Sequence, residues 1–199
     1  MSIFNPEKHT QRDVKIVAAL ERISHAFKVM QLSMGKEHSL SPIQMQILMF
    51  IHFHHEQLCT VSYLAQEFDI TKATISDAVR VLIKKGLVEK TVDDKDSRSY
   101  SIKPTLTGKN EIKEMKDFGL PVLQALENIS DSEKNDFLHS LLQVIRYLNK
   151  SGVITIQRSC YNCKFYEKLQ TGHHCNLLKS DLANTEIRID CPEFIDAGK

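Results

Sequence analysis

Apolar positions along the chain alternate between two periods, and the changes of period divide it into elements. From residue 7 to about residue 34, Val14, Val17, Ala18, Ile23, Phe27, Met30 and Leu32 recur at helical spacing, which predicts one long helix. Ser41 and Pro42 form a helix start, a cap followed by proline in the first turn. The helix from residue 43 to about residue 53 is apolar on nearly every side, as expected of a central core element. Val61, Leu64, Ala65 and Phe68 then line one side of a short helix, and Asp69, Ile70 and Thr71 make a tight connection. Thr71 is an N-cap residue for a further helix whose apolar face is Ile75, Val79 and Leu82. Gly86 stops it just after Lys84 and Lys85.

Residues 87–92 have the β-branched character of a strand, residues 93–98 form a polar turn, and residues 99–102 return as a second strand. Helix, short turn, helix is the geometry that places a second helix in a DNA major groove, and the hairpin adds a wing. This run resembles the MarR family of winged-helix transcription regulators, whose wing carries Asp-x-Arg, followed by a strand and Leu-Thr-x-x-Gly. Those positions are Asp96-Ser97-Arg98 and Leu106-Thr107-Gly108 here, with the glycine two residues early. The resemblance covers roughly residues 10 to 150. It implies that the long first helix packs with the C-terminal helices to form a homodimer. It also implies that Arg98 enters a minor groove while Asp96 orients it through a charge-assisted hydrogen bond.

Charge narrows the reading further. The net charge is only +1, so any contact with nucleic acid must come from local asymmetry. Residues 71–90 supply it: Lys72, Arg80, Lys84, Lys85 and Lys90 stand against Asp77 and Glu89. On the helix starting at Thr71, the expected reading face is Thr71, Lys72, Thr74, Ser76, Asp77 and Arg80. Arg80 is a guanine reader or a phosphate anchor. Asp77 is out of place among phosphates; it accepts from a cytosine amine or pairs with Lys72 or Arg80. With 42% hydrophobic residues the chain can bury a sizeable core, yet no stretch approaches the roughly 20 apolar residues of a membrane span. The N-terminus lacks the basic-then-apolar order of a signal peptide, so a cytoplasmic protein without a membrane partner is expected.

Downstream of the wing, Pro104 and Thr105 close the second strand and a helix is expected from about residue 107 to 118. Gly119, Leu120 and Pro121 interrupt it, and the chain continues helically through residues 122–129. Ser130 with Glu133 makes a capping-box pattern for a last helix to about residue 149. After Gly152 the composition changes. Residues 153–156 look strand-like, and four of the five cysteines follow as Cys160-x2-Cys163-x11-Cys175-x15-Cys191. In a reducing compartment disulfides are disfavoured, and this concentration of thiols points to a metal site. Only one CxxC knuckle is present, whereas structural zinc commonly uses two, and a Cys-Pro at the last ligand is frequent in iron–sulfur sites. Tyr161, Phe165, Tyr166 and Phe194 supply an apolar shell. Residues 160–194 resemble the small cluster-binding subunits of some glycyl-radical enzymes and the high-potential iron–sulfur proteins. A 4Fe–4S cluster is therefore preferred, with zinc as the alternative. His173 and His174 are read as bystanders. His52, His54 and His55 do not share a helical face and are read as helix-end and loop residues, and Cys59 as a small buried hydrophobe.

The expected fold is mainly α with a small β-hairpin wing: a dimeric winged helix-turn-helix over residues 1–150, with its DNA-binding core at about 41–106. A Cys-rich extension occupies 151–199. The expected function is a transcription regulator, taken as a repressor, that binds pseudo-palindromic double-stranded DNA. Its affinity is controlled by redox, oxygen or nitric oxide chemistry at a cluster on Cys160, Cys163, Cys175 and Cys191. The alternative is a regulator with a structural zinc site that responds to a small ligand. No nucleotide-binding glycine loop and no nucleophile–base–acid arrangement is recognisable, which argues against an enzyme.

Overall fold

A computed structural model describes residues 5, 7, 11–93, 96–115 and 117–198, with the side chains of 92–99 outside the described set. Helix α1 (Arg12–Glu37) starts and ends a few residues later than the periodicity predicts. Helix α2 (Pro42–Phe53) begins with a full capping box: Gln44 N–H donates to Ser41 Oγ, and Ser41 N–H donates to Gln44 Oε1 at 2.9 Å. Thr60 caps α3 (Val61–Glu67), and Thr71 caps α4 (Lys72–Lys84). Asp69, in the turn between α3 and α4, has a positive φ of 52°, a conformation that the short polar side chain of Asp tolerates.

The end of α4 is set by Gly86 at φ 70°, which lets Leu87 N–H reach back to Leu82 O at 3.0 Å. The chain then enters an antiparallel hairpin of β1 (Val88–Asp93) and β2 (Asp96–Pro104). Strand β2 therefore includes residues 96–98, which the sequence reading assigned to the turn. Paired backbone carries the ladder outward beyond the β-branched residues that signalled it. Ile102 N–H also donates to Cys59 O at 2.8 Å, fastening the hairpin to the loop ahead of α3.

The main core lies where α2, α3, α4, the hairpin and α5 (Leu106–Met115) meet. Met45, Ile47, Leu48, Cys59, Leu64, Ile75, Val79, Leu82, Ile102, Ile112 and Met115 are fully buried in it. The anticipated face of Ile75, Val79 and Leu82 is buried, and the apolar α2 runs through the centre. Helix α6 (Leu120–Leu126) starts earlier than expected because Pro121 falls in its first turn, where a missing N–H costs nothing. Helix α7 (Asp131–Lys150) opens with the Ser130–Glu133 capping box. Ile16, Val17, Ile23, Val29 and Leu32 of α1, Leu120 and Leu123 of α6, and Phe137, Val144 and Tyr147 of α7 are exposed in the single chain.

Residues 153–156 are not a strand. Val153 and Ile154 spend their backbone N–H groups on Leu148 O, and Thr155 turns its hydroxyl to Gln66 O at 2.8 Å. Beyond them a small antiparallel sheet forms in the order β3 (Tyr166–Lys168), β4 (His173–Cys175), β5 (Ser180–Leu182). A second, smaller core of Leu142, Cys160 and Ile187, with Leu138, Tyr161, Tyr166 and Leu182 against it, joins this C-terminal segment to α7.

Candidate functional site

Two sites take shape, a groove-reading surface and a ring of thiols. On α4 the buried face turns Thr71, Lys72, Thr74, Asp77 and Arg80 outward, while Ser76 is half-buried. Thr71 Oγ1 accepts from Thr74 N–H at 3.2 Å and meets Thr74 Oγ1 at 2.9 Å, so its hydroxyl is already engaged in capping. Asp77 pairs with Arg80 at 2.8 Å. Both members of this pair are well exposed, so it contributes roughly 0–1 kcal/mol and yields readily to a phosphate. Asp96 and Arg98 lie on the backbone of β2, and their side chains lie outside the described residues.

The four C-terminal thiols come from three different places in the fold. Cys160 and Cys163 bracket a single 3-10 turn (Cys160–Asn162), Cys175 ends β4, and Cys191 follows the loop after Ile187. All four are free and line one cavity of about 360 Å³, together with Phe165, Tyr166, Leu177, Leu178 and Leu182. Burial pushes the Cys160 thiol above its ordinary pKa, against an N–H from Arg188, and the other three thiols push the same way. Arg188 N–H donates to Cys160 Sγ at 3.3 Å, and its guanidinium reaches Cys191 Sγ at 3.8 Å. Four thiols that line one space could together donate to a positive centre.

A single zinc ion holds each thiolate at about 2.3 Å, which requires the sulfurs to crowd one point. Among the described residues, no group of three or more His, Cys, Asp or Glu side chains closes in that way. The four thiols line one cavity; a zinc ion would need them drawn onto one point, whereas a multi-iron cluster takes its thiolates on separate irons. His173 and His174 are occupied elsewhere. His173 meets Tyr166 Oη at 2.7 Å and Asn184 Oδ1 at 2.8 Å, and His174 meets Asp181 at 2.7 Å.

A third cluster has no counterpart in the sequence reading. Arg158, two residues before Cys160, is buried at the junction of the C-terminal segment with α2 and α3. Its guanidinium donates to both carboxylate oxygens of Asp190 at 2.7 and 3.0 Å, to both of Glu67 at 2.5 and 3.1 Å, and to Tyr63 Oη at 3.0 Å. It also lies over the Phe50 ring, 5.2 Å from its centre. His54, one of the expected helix-end and loop histidines, is the C-cap of α2 and reaches Asp190 Oδ2 at 2.8 Å. Burial alone would raise the Asp190 carboxyl, but hydrogen bonds from His54 and Arg158 outweigh it and hold it well below the carboxylate range. Burial would lower the Arg158 guanidinium; its bonds to Asp190, Glu67 and Tyr63 reverse that and raise it. The available signal was adjacency, since Arg158 and Asp190 each stand close before a cysteine of the set.

The described residues form a winged helix-turn-helix fold. The sequence profile of the MarR family matches residues 38–99. The HTH-type transcriptional repressor YetL of Bacillus subtilis (strain 168) is 30% identical over 103 residues, 51% of this chain and 62% of the relative. The chain thus spans about three-fifths of that relative's length. Among solved structures, S. aureus MepR in complex with DNA superimposes with a TM-score of 0.58 at 22% identity, over 66% of this chain and 97% of that one. A MarR family protein from Bacillus stearothermophilus gives 0.59 at 20% identity, over 68% and 94%. A MarR transcriptional regulator from Methanosarcina mazei Go1 gives 0.58 at 21% identity, over 68% and 96%. Among the described residues, no helix is long and apolar enough to cross a membrane.

Proposed function

We propose that this protein is a MarR-family transcription regulator that binds duplex DNA as a homodimer. We further propose that an iron–sulfur cluster on Cys160, Cys163, Cys175 and Cys191 sets its DNA affinity. The observation that carries the DNA reading is helix α4, whose buried stripe is locked into the core while Lys72, Thr74, Asp77 and Arg80 stay exposed beside the wing. A helix held this way offers its N-terminal half to base edges, and its cations to phosphates. The likeness to MepR, solved with DNA, and to the repressor YetL supports the same reading. The exposed apolar positions of α1, α6 and α7 suit a second copy, which would present two recognition helices to a pseudo-palindrome. Repression follows if the bound site overlaps a promoter.

The cavity walled by four thiols and apolar side chains supports the cluster, as do the two N–H groups of Arg188 aimed at sulfur. When bound, the cluster supplies an electron-accepting and oxidant-labile centre. The chain supplies four thiolates, N–H donors that stabilise them, and the part-buried wall of Phe165, Tyr166 and Leu182 that limits water. The test is metal, acid-labile sulfide and zinc analysis on anaerobically isolated full-length protein, with Cys175→Ser and Cys191→Ser alongside, and selection of binding sites from a random duplex pool. Iron and sulfide in equal amounts that fall in both variants, with enrichment of a pseudo-palindrome, is the expected result. Zinc without sulfide would replace the cluster by the zinc alternative, and failure to enrich any duplex would overturn the DNA reading.

A further inference from the structure

The C-terminal segment is attached to the helix-turn-helix at specific points that coincide with the thiol cage. Cys191 N–H donates to Arg158 O at 2.9 Å, and Cys160 N–H donates to Arg188 O at 3.1 Å, so the two strands of chain that carry these thiols are tied together at Arg158. From there the Arg158 guanidinium reaches Glu67, the last residue of α3, and Tyr63 one turn earlier, while Asp190 holds it from the other side. Three residues before Arg158, the Thr155 hydroxyl meets Gln66 O and Asp69 Oδ1. Asp69 is the positive-φ residue of the turn into α4.

Helix α3 is only seven residues long, far below the length at which a helix holds itself together in water. Its placement therefore depends on what grips it. On one side that is the core, through Leu64 and Ala65; on the other it is Arg158 and Thr155. Arg158 is 8% exposed at its side chain and sits between two carboxylates. Withdrawal of Asp190 would leave the buried guanidinium of Arg158 with Glu67 as its one carboxylate partner and would cost His54 its ion pair. A buried charge set that loses one member is strongly disfavoured, so the group moves as a unit.

We infer that Thr155, Arg158 and Asp190 form a clasp on α3 and on the turn into α4. Through this clasp, a filled cage holds the recognition helix in place and an emptied cage releases it. The inference rests on the reading of the four thiols as a metal site. Its components are positioning residues and touch no DNA. A centre on Cys160 and Cys191 fixes residues 158 and 190 by direct chain connection. Without it, the loop carrying Asp190 keeps its backbone bonds, the Gln157 bond to Ile189 O and the buried Ile187, but residues 158 and 190 are no longer fixed from the thiol side, and the grip on α3 loosens.

The experiment is amide hydrogen exchange of residues 61–71, with duplex affinity measured beside it, on full-length protein. The forms compared are the iron–sulfur-loaded wild type, the same protein stripped by chelator, and loaded Arg158→Leu, Arg158→Lys and Thr155→Val. Stripping is expected to remove protection from residues 61–71 and to weaken binding by about 5–150-fold. Loaded Arg158→Leu should keep its visible absorption, lose the same protection, and bind DNA equally in both metal states. Arg158→Lys should recover part of the protection, since an ammonium cannot span both carboxylates in fork geometry. Protection in Arg158→Leu equal to wild type would overturn the clasp. Should that variant not fold, unchanged protection in Thr155→Val would do so. A wild type that holds no iron fails the metal reading and with it the switching step, and metal analysis alone reports that. The gripping step is then judged from the exchange of the variants.

Discussion

The absence of a methyl group at Gly108 lets helix α5 pack against the chain leaving the recognition helix. Thr105 precedes α5; its N–H donates to Leu87 O at 3.0 Å, its hydroxyl to Gly86 O at 2.6 Å, and it accepts from Gly108 N–H at 3.1 Å. These bonds draw Gly108 so close that a Cβ there would lie 2.0 Å from Leu87 O and 3.0 Å from its carbonyl carbon. Ordinary contact begins at 3.4 Å, and the opposing atoms are backbone, so the helix start itself must retreat by more than an ångström. Overpacking of this kind costs about 1–3 kcal/mol. Loss of the Thr105–Leu87 bond adds about 1 kcal/mol, and alanine's better helix propensity returns about 1. Gly108→Ala is thus expected to destabilise by about 1–3 kcal/mol. In a chain of this size that lowers Tm by roughly 2–12 °C. Gly119→Ala is the matched control, because nothing lies within 4 Å of its Cβ and its φ of −86° suits any residue. It should leave Tm unchanged or raise it slightly. Thermal unfolding followed by circular dichroism decides, and a Gly108→Ala protein melting at or above wild type would refute the reasoning.

Arg80→Ala and Lys72→Ala should each weaken binding to all duplexes and reduce the slope of log affinity against log salt by about one, whereas Asp77→Asn should strengthen binding by removing the exposed acid; equal salt slopes would show that α4 makes no phosphate contact. Cys59 is 1% exposed, and burial, with Glu56 adding to it, pushes its thiol up to about 11. In metal-free protein at neutral pH, iodoacetamide should therefore modify the part-exposed Cys175 and Cys191 first and spare Cys59 until the chain unfolds; early labelling of Cys59, read by peptide mass, contradicts this. Burial alone would lower the pKa of His54, but its bonds to Asp190 and to Phe50 O raise it overall. Its contribution to stability is complete below the ordinary imidazole value of about 6.5 and is lost as pH rises through the folded value. The opposite shift of Asp190 removes its share only as pH falls from about 4 toward the lower folded value. The difference in Tm between wild type and His54→Gln should therefore be largest near pH 5–6 and shrink above neutrality, and a difference independent of pH would contradict the assigned bonds.

The helix-turn-helix was legible because its determinants are local. Thr71, Gly86 and the spacing of Ile75, Val79 and Leu82 fix both ends and the buried face of α4 within sixteen residues. The same holds for the Ser41–Gln44 and Ser130–Glu133 caps. The wing was legible as a hairpin but not in its extent, since backbone pairing carries β2 out to Asp96 past polar residues. In the C-terminal segment, strands of three residues such as His173–Cys175 are too short to show a period. Residues 153–156 have β-branched character without a partner strand, and their polar groups are taken by Leu148 and Gln66. The four cysteines could be read from spacing, and the structure places them around one cavity. The Arg158 cluster could not be read, because His54 and Glu67 lie about a hundred residues away and nothing local marks them as its partners.

The most direct test of the central claim is fluorescence anisotropy of a selected, labelled duplex. It is titrated under anaerobic conditions with the same protein preparation before and after chelation of its iron. The account predicts tighter binding by the loaded form, by about 5–150-fold. Identical affinity in the two states would contradict it.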